Sequence, residues 1–218
     1  MKNSITRKNL MALTGLFLCF FLIIHLLGNF QLLLPPEEAQ LQYNLYSDFL
    51  SNNLVVKIIS YVLYASILVH TLDAIYLSIK AKKAKGSSYV KDKRNRASKW
   101  YSRQMMLLGT IVFAFLVIHF KDFWFPYKFG DLSSDINGNK DLYTLVIVSF
   151  QKLWYVILYA VAILALGFHL LHGFFSAIRS IGLYNPTYNR IVKSVGVVFA
   201  VAITLGYFVI PLYIYLNA

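Results

Sequence analysis

The stretches Gly15–Leu27, GLFLCFFLIIHLL, and Gly109–His119, GTIVFAFLVIH, decide how this chain folds. Each is an uncharged apolar run, and each carries a histidine ten residues after a glycine. The residues before the histidine repeat as well: Phe21-Leu22-Ile23-Ile24 in the first, Phe115-Leu116-Val117-Ile118 in the second. A helix that is apolar on every side belongs in hydrocarbon or in the centre of a large core, and the second option is closed to a chain of 218 residues.

Outward from these two stretches, three more runs reach the roughly 20 residues needed to cross a hydrocarbon layer of about 30 Å. The expected helices are about 10–34, 54–79, 104–125, 153–178 and 194–216, and 58% of the whole chain is hydrophobic. The expectation is an all-α membrane protein, one domain over 1–218 with five transmembrane helices. Cys19 is the only cysteine, which leaves no disulfide framework and no iron–sulfur ligation.

A net charge of +12 would suit nucleic acid, but its distribution points to a membrane. The segment Lys80–Arg103 carries ten basic residues and one acid, and Arg179, Arg190 and Lys193 lie between the last two runs. The connection 35–53 instead holds Glu37, Glu38 and Asp48 with no base. Lys and Arg gather in cytoplasmic loops. The expected topology is therefore multi-pass in the cell (inner) membrane, with the N-terminus cytoplasmic, the C-terminus outside, and the basic loops facing anionic lipid or a soluble partner.

Four of the five histidines fall one to a helix: His25, His70, His119 and His169. Ionisable residues inside a span are costly and mark function, and imidazole is a common axial ligand of haem iron. Counted from the nearest inside-facing base, His25 and His119 lie seventeen and sixteen residues in, against ten for His70 and His169. At 1.5 Å per residue these depths are about 25 Å and about 15 Å. Two levels follow, His25 with His119 at an outer site and His70 with His169 at an inner one. Each pair is suited to clamp one haem b.

The second and fourth runs share a register of their own, with Ile79-Lys80 and Ile178-Arg179 at the same offsets from His70 and His169. On that register His172 matches Asp73, so His169 is favoured as the ligand and His172 is a neighbour or an alternative. Gly15 and Gly109 are candidates for letting a flat macrocycle approach the backbone.

Five helices, with a histidine on each of the first four and none on the fifth, resemble the cytochrome b membrane anchor of succinate:quinone oxidoreductases, the di-haem b558 type. The resemblance runs from Thr14-Gly15-Leu16-Phe17-Leu18 and His25 through Phe168-His169-Leu170-Leu171-His172-Gly173, and ends near Gly182. It implies a di-haem bundle of four helices with the fifth peripheral. It also implies a flavoprotein subunit and an iron–sulfur subunit at the cytoplasmic face, and electron transfer to a membrane quinone, menaquinone for preference. His70 and His169 would hold the proximal haem, His25 and His119 the distal one. The chain itself would be the electron-transfer subunit of such an enzyme, since it has no dinucleotide fingerprint.

Haem propionates call for cationic partners, for which Arg179 and Arg103 lead and Lys80 and Lys8 follow. Proton transfer to a quinone beside the outer pair would fall to Asp48, ahead of Glu37 and Glu38. Asp73, one turn inward from His70, is a further candidate acceptor. The rival expectation is a haem-free transporter or proton channel in which intramembrane histidines relay protons.

Overall fold

A computed structural model describes residues 2–84, 99–183, 185 and 187–217. It is an all-α membrane protein: among the described residues five helices are long and apolar enough to cross a membrane, covering Ile5–Leu33, Leu54–Lys83, Met105–Phe129, Leu153–Ser180 and Asn189–Asn217. Each outruns the apolar stretch expected for it at one end or both. The helical hydrogen bonds continue into the polar interface after the hydrophobic signal stops. The centre of the long basic segment lies outside the described residues.

The first span, α1 (Lys2–Asn29), tightens into a 3₁₀ turn at Phe30–Leu33 and stops before Pro35. Pro36 then opens α2 (Pro36–Asn52), where its missing N–H costs nothing. The acidic connection is thus a helix in its own right, laid across the bundle end with Ala39, Tyr43 and Asn44 buried. Asn53 caps the second span, α3 (Leu54–Ala84), its side-chain oxygen accepting from Val55 N at 2.9 Å and Val56 N at 3.2 Å.

The third span enters through a short turn, α4 (Trp100–Arg103), and continues as α5 (Met105–His119). Directly after His119 the chain widens into a π-helical turn, Phe120–Trp124, then regains α geometry in α6 (Phe125–Phe129). Such bulges collect at functional sites. A loop carrying Gly138 at φ 81° leads to α7 (Leu142–Phe150), a second surface helix capped by Asp141. The fourth span is α8 (Leu153–Ser180), closed by Gly182 at φ 86°, and the fifth is α9 (Asn189–Asn217).

The spans form a ring in which α1 packs on α3 and α8, α8 on α5, and α5 more lightly on α3. The fifth span lies outside that ring, in the groove between α8 and α1, as a peripheral helix would. Gly167 allows the approach, because a Cβ there would collide with Thr204 Oγ1 of α9. Large apolar residues such as Leu13, Phe20, Ile58, Leu68 and Val198 are exposed on the outer surface, as suits a wall facing lipid.

Opposite the basic end, α2 and α7 cap the bundle over a cluster of Phe123, Phe150, Tyr155 and Tyr159. Their tie is Asp141, which accepts from Asn44 Nδ2 at 3.0 Å, Gln40 Nε2 at 2.9 Å, Thr144 N at 3.0 Å and Thr144 Oγ1 at 2.7 Å. Burial alone would raise the Asp141 carboxyl, but these donors together hold it below the ordinary carboxylate range.

Candidate functional site

At the capped end, His25 from α1 and His119 from α5 stand with ring centres 5.8 Å apart and planes at 88°. At the basic end, His70 from α3 and His169 from α8 stand 6.4 Å apart at 65°. Bonds of about 2 Å from one metal to an imidazole on each side put two such ring centres about 6 Å apart. Both pairs therefore have the spacing of two axial ligands on a shared iron, and every ligand comes from a different helix.

Among the described residues no group of three or more His, Cys, Asp or Glu side chains could hold a bare metal ion. Two imidazoles suffice only where other donors complete the coordination, which a porphyrin does with its four nitrogens. Two imidazoles are the donor set that a haem would take.

At His70 the hydrogen-bond partner decides the tautomer. His70 Nδ1 lies 3.1 Å from the carbonyl oxygen of Met11, which can only accept, so this nitrogen carries the hydrogen and Nε2 keeps its lone pair. Thr14 Oγ1 adds a contact to Nδ1 at 3.2 Å. His119 Nδ1 lies 3.1 Å from Tyr159 Oη, and His169 Nδ1 is buried with no hydrogen-bond partner among the described residues. Among the described residues no hydrogen bond engages Nε2 of His70, His119 or His169. His25 differs: its Nε2 is 3.5 Å from Asn29 Nδ2, a long contact from a group that also donates to the His25 carbonyl at 2.7 Å.

Gly15 and Gly109 both lie at the basic-end level. A Cβ on Gly15 would sit 3.1 Å from Cε1 of His70, and one on Gly109 would sit 3.5 Å from Cε1 of His169. Gly15 clears space for the His70 ring, while Gly109 faces the His169 ring at ordinary contact distance; each glycine meets the histidine of a neighbouring helix, one level away from the histidine on its own. The ten-residue repeat therefore records two levels about 15 Å apart along the helix, at 1.5 Å per residue, farther apart than the roughly 10 Å obtained by counting in from the flanking bases. His172 lies one turn beyond His169, and the ring facing His70 is that of His169.

The charged candidates divide by position. Asp73 is buried beneath His70 and paired with Arg7, whose guanidinium also lies over the Tyr76 ring at 4.4 Å. Sequence reasoning missed Arg7 as that partner. Arg103 is half-buried, while Arg179, Lys80 and Lys8 are exposed at the same end. Asp48 sits within α2, partly exposed, accepting from Asn52 Nδ2 at 3.0 Å. Glu38 accepts from Gln42, and Glu37 is exposed beside a small surface cavity with Gln40 and Asp135. No hydrogen bond joins any of these three acids to a described histidine.

What stands beside the capped-end pair instead is a chain of hydroxyls. Tyr159 Oη lies 3.3 Å from Tyr155 Oη, which donates to Asp122 Oδ2 at 3.0 Å. The fifth span contributes too: the Tyr207 ring lies 6.0 Å from that of His25, and its hydroxyl donates to the Leu22 carbonyl at 2.8 Å.

Compared with family models, curated proteins and solved structures, the chain finds no match in any of the three.

Proposed function

We propose that this chain is a di-haem cytochrome b, the membrane anchor of a succinate:quinone oxidoreductase that works as a succinate dehydrogenase or fumarate reductase. The observation that carries the reading is the presence of two imidazole pairs, each at the spacing of axial ligands and each drawn from two different spans. The five-helix pattern, which resembles the b558 anchors, gives the pairs their setting. When bound, each haem would supply a one-electron iron couple.

The residues of the chain do the rest. His70 and His169 would hold one haem near the basic end, and His25 and His119 the other near the capped end. Met11 and Thr14 orient His70 through Nδ1, and Gly15 keeps space open beside its ring. Leu26, Leu108 and Leu170 are buried in the bundle and keep water out. The flavoprotein and iron–sulfur subunits would dock at the basic end, in the cytoplasm, and a membrane quinone, menaquinone for preference, would be reduced near the capped end.

A second reading, a haem-free proton channel, draws support from one feature, the run of hydroxyls between Asp122 and His119. Difference spectra of the purified chain, dithionite-reduced minus oxidised, separate the two. The cytochrome gives a b-type band and two haems per chain, and a chain with no haem favours the channel.

A further inference from the structure

We infer that Tyr159, braced by Tyr155 and Asp122, is a positioning residue that fixes the hydrogen of His119 on Nδ1 and so leaves its Nε2 open to iron. The inference rests on the haem reading of that site. It follows from the direction in which the hydrogen bonds must run. The Asp122 carboxylate, with the Lys121 ammonium 3.3 Å from its Oδ1, has no hydrogen to give, so Tyr155 donates to it. A hydroxyl has one hydrogen, so the Tyr155 oxygen can only accept from Tyr159 at 3.3 Å.

The single hydrogen of Tyr159 is then spent. Towards His119 Nδ1, at 3.1 Å, its oxygen can only accept, and the ring nitrogen must donate. A carboxylate at the bundle end thus dictates the tautomer of an imidazole three hydrogen bonds away. Tyr155 and Tyr159 are 4% and 6% exposed, so water does not compete for these bonds. Ring packing fixes the geometry: Tyr159 meets Phe150 and Phe115 edge to face, each at 4.8 Å. Asp122 belongs to the π-helical turn that starts immediately after His119, so ligand and anchor share one local irregularity.

The other three histidines are held otherwise: His70 by a backbone carbonyl, His169 by no Nδ1 partner, and His25 next to Asn29. Substitutions in the hydroxyl chain should therefore act on one site alone. An acceptor on Nδ1–H makes the imidazole a stronger donor to iron and favours the ferric state. Its loss should raise the potential of one haem by about tenfold in the ratio of reduced to oxidised protein, which is about 59 mV for a one-electron couple.

The test uses the full chain in lipid nanodiscs with ¹⁵N-labelled histidine, as wild type, Y159F and D122L, with H119A to assign the resonance. The expected wild-type signal is a hydrogen-bonded Nδ1–H on His119. Y159F should lose the hydrogen-bond shift and D122L should weaken it, with His70 unchanged in both. Redox titration of the same samples should show both haems retained and one potential raised in Y159F. A hydrogen on Nε2 in wild type, a His119 signal indifferent to Y159F, or equal movement of both potentials would overturn the inference. Absence of haem from every sample would instead defeat the cytochrome reading, and the nitrogen signals would still decide the role of Tyr159.

Discussion

Replacing Gly15 probes the basic-end site from a neighbouring helix without replacing a ligand. A Cβ there would lie 3.1 Å from His70 Cε1, a few tenths of an ångström inside ordinary contact, while one at Gly109 would lie 3.5 Å from His169 Cε1 and fit. The His70 ring cannot slide away freely, because its Nδ1 is fixed to Met11 and touches Thr14. Overpacking costs about 1–3 kcal/mol, and exchanging glycine for alanine within a helix returns about 0.5–1 kcal/mol. G15A should therefore weaken haem retention at the basic end by up to about sixtyfold, at about 1.4 kcal/mol per factor of ten. G109A should leave it unchanged or slightly improved. G15L, which adds a branched chain against the same ring, should abolish that site. The assay is haem per chain together with reduced-minus-oxidised spectra, with H70A as the reference for a chain lacking this haem. The reasoning fails if G15L keeps both haems, or if it loses the haem that H25A loses.

Three further outcomes follow from the contacts. R7A strands the Asp73 carboxylate, which is 4% exposed; because Arg7 itself is 45% exposed, the loss should be about 1–3 kcal/mol in thermal unfolding in detergent, and adding D73L should recover most of it. Asp141 is held below its ordinary range, so its contribution is complete above about pH 4 and is lost as pH falls through the folded value. Proteolysis at the α2–α7 cap should accelerate below that pH in wild type, while D141N should be cut faster at neutral pH and respond less to acid. Y207F removes the hydrogen bond from α9 to Leu22 and should cost about 1 kcal/mol, a fall of about 2–4 °C in melting temperature.

The spans were legible because a helix writes the part of its length that crosses hydrocarbon in apolar residues, and the matched depths of His25 and His119, and of His70 and His169, could be counted from flanking bases. The caps were not. In α2 the buried positions Ala39, Tyr43 and Asn44 are one apolar, one amphipathic and one polar residue, and what orients that helix is Asn44 meeting Asp141, 97 residues away. Long-range pairing of that kind leaves no local period. Arg7 was hidden for a related reason: three bases stand in the first eight residues, and only the turn of α1 turns Arg7 towards Asp73.

Tyr159 carried a signal that could have been read. It lies ten residues before His169, the offset at which Gly15 precedes His25 and Gly109 precedes His119. In a bundle with two levels ten residues apart, the residue at that offset faces the other level, and Tyr159 does meet His119. Sixteen tyrosines in one membrane chain hid it, because most could serve an interfacial belt.

The central claim, that separate helices clamp two iron porphyrins at two heights, is tested most directly by counting haem against protein in the purified chain and repeating the count in H25A and H70A. The account predicts two haems per wild-type chain and one in each variant, with different spectra for the haem that remains. A colourless wild type, or variants that lose the same haem, would contradict it.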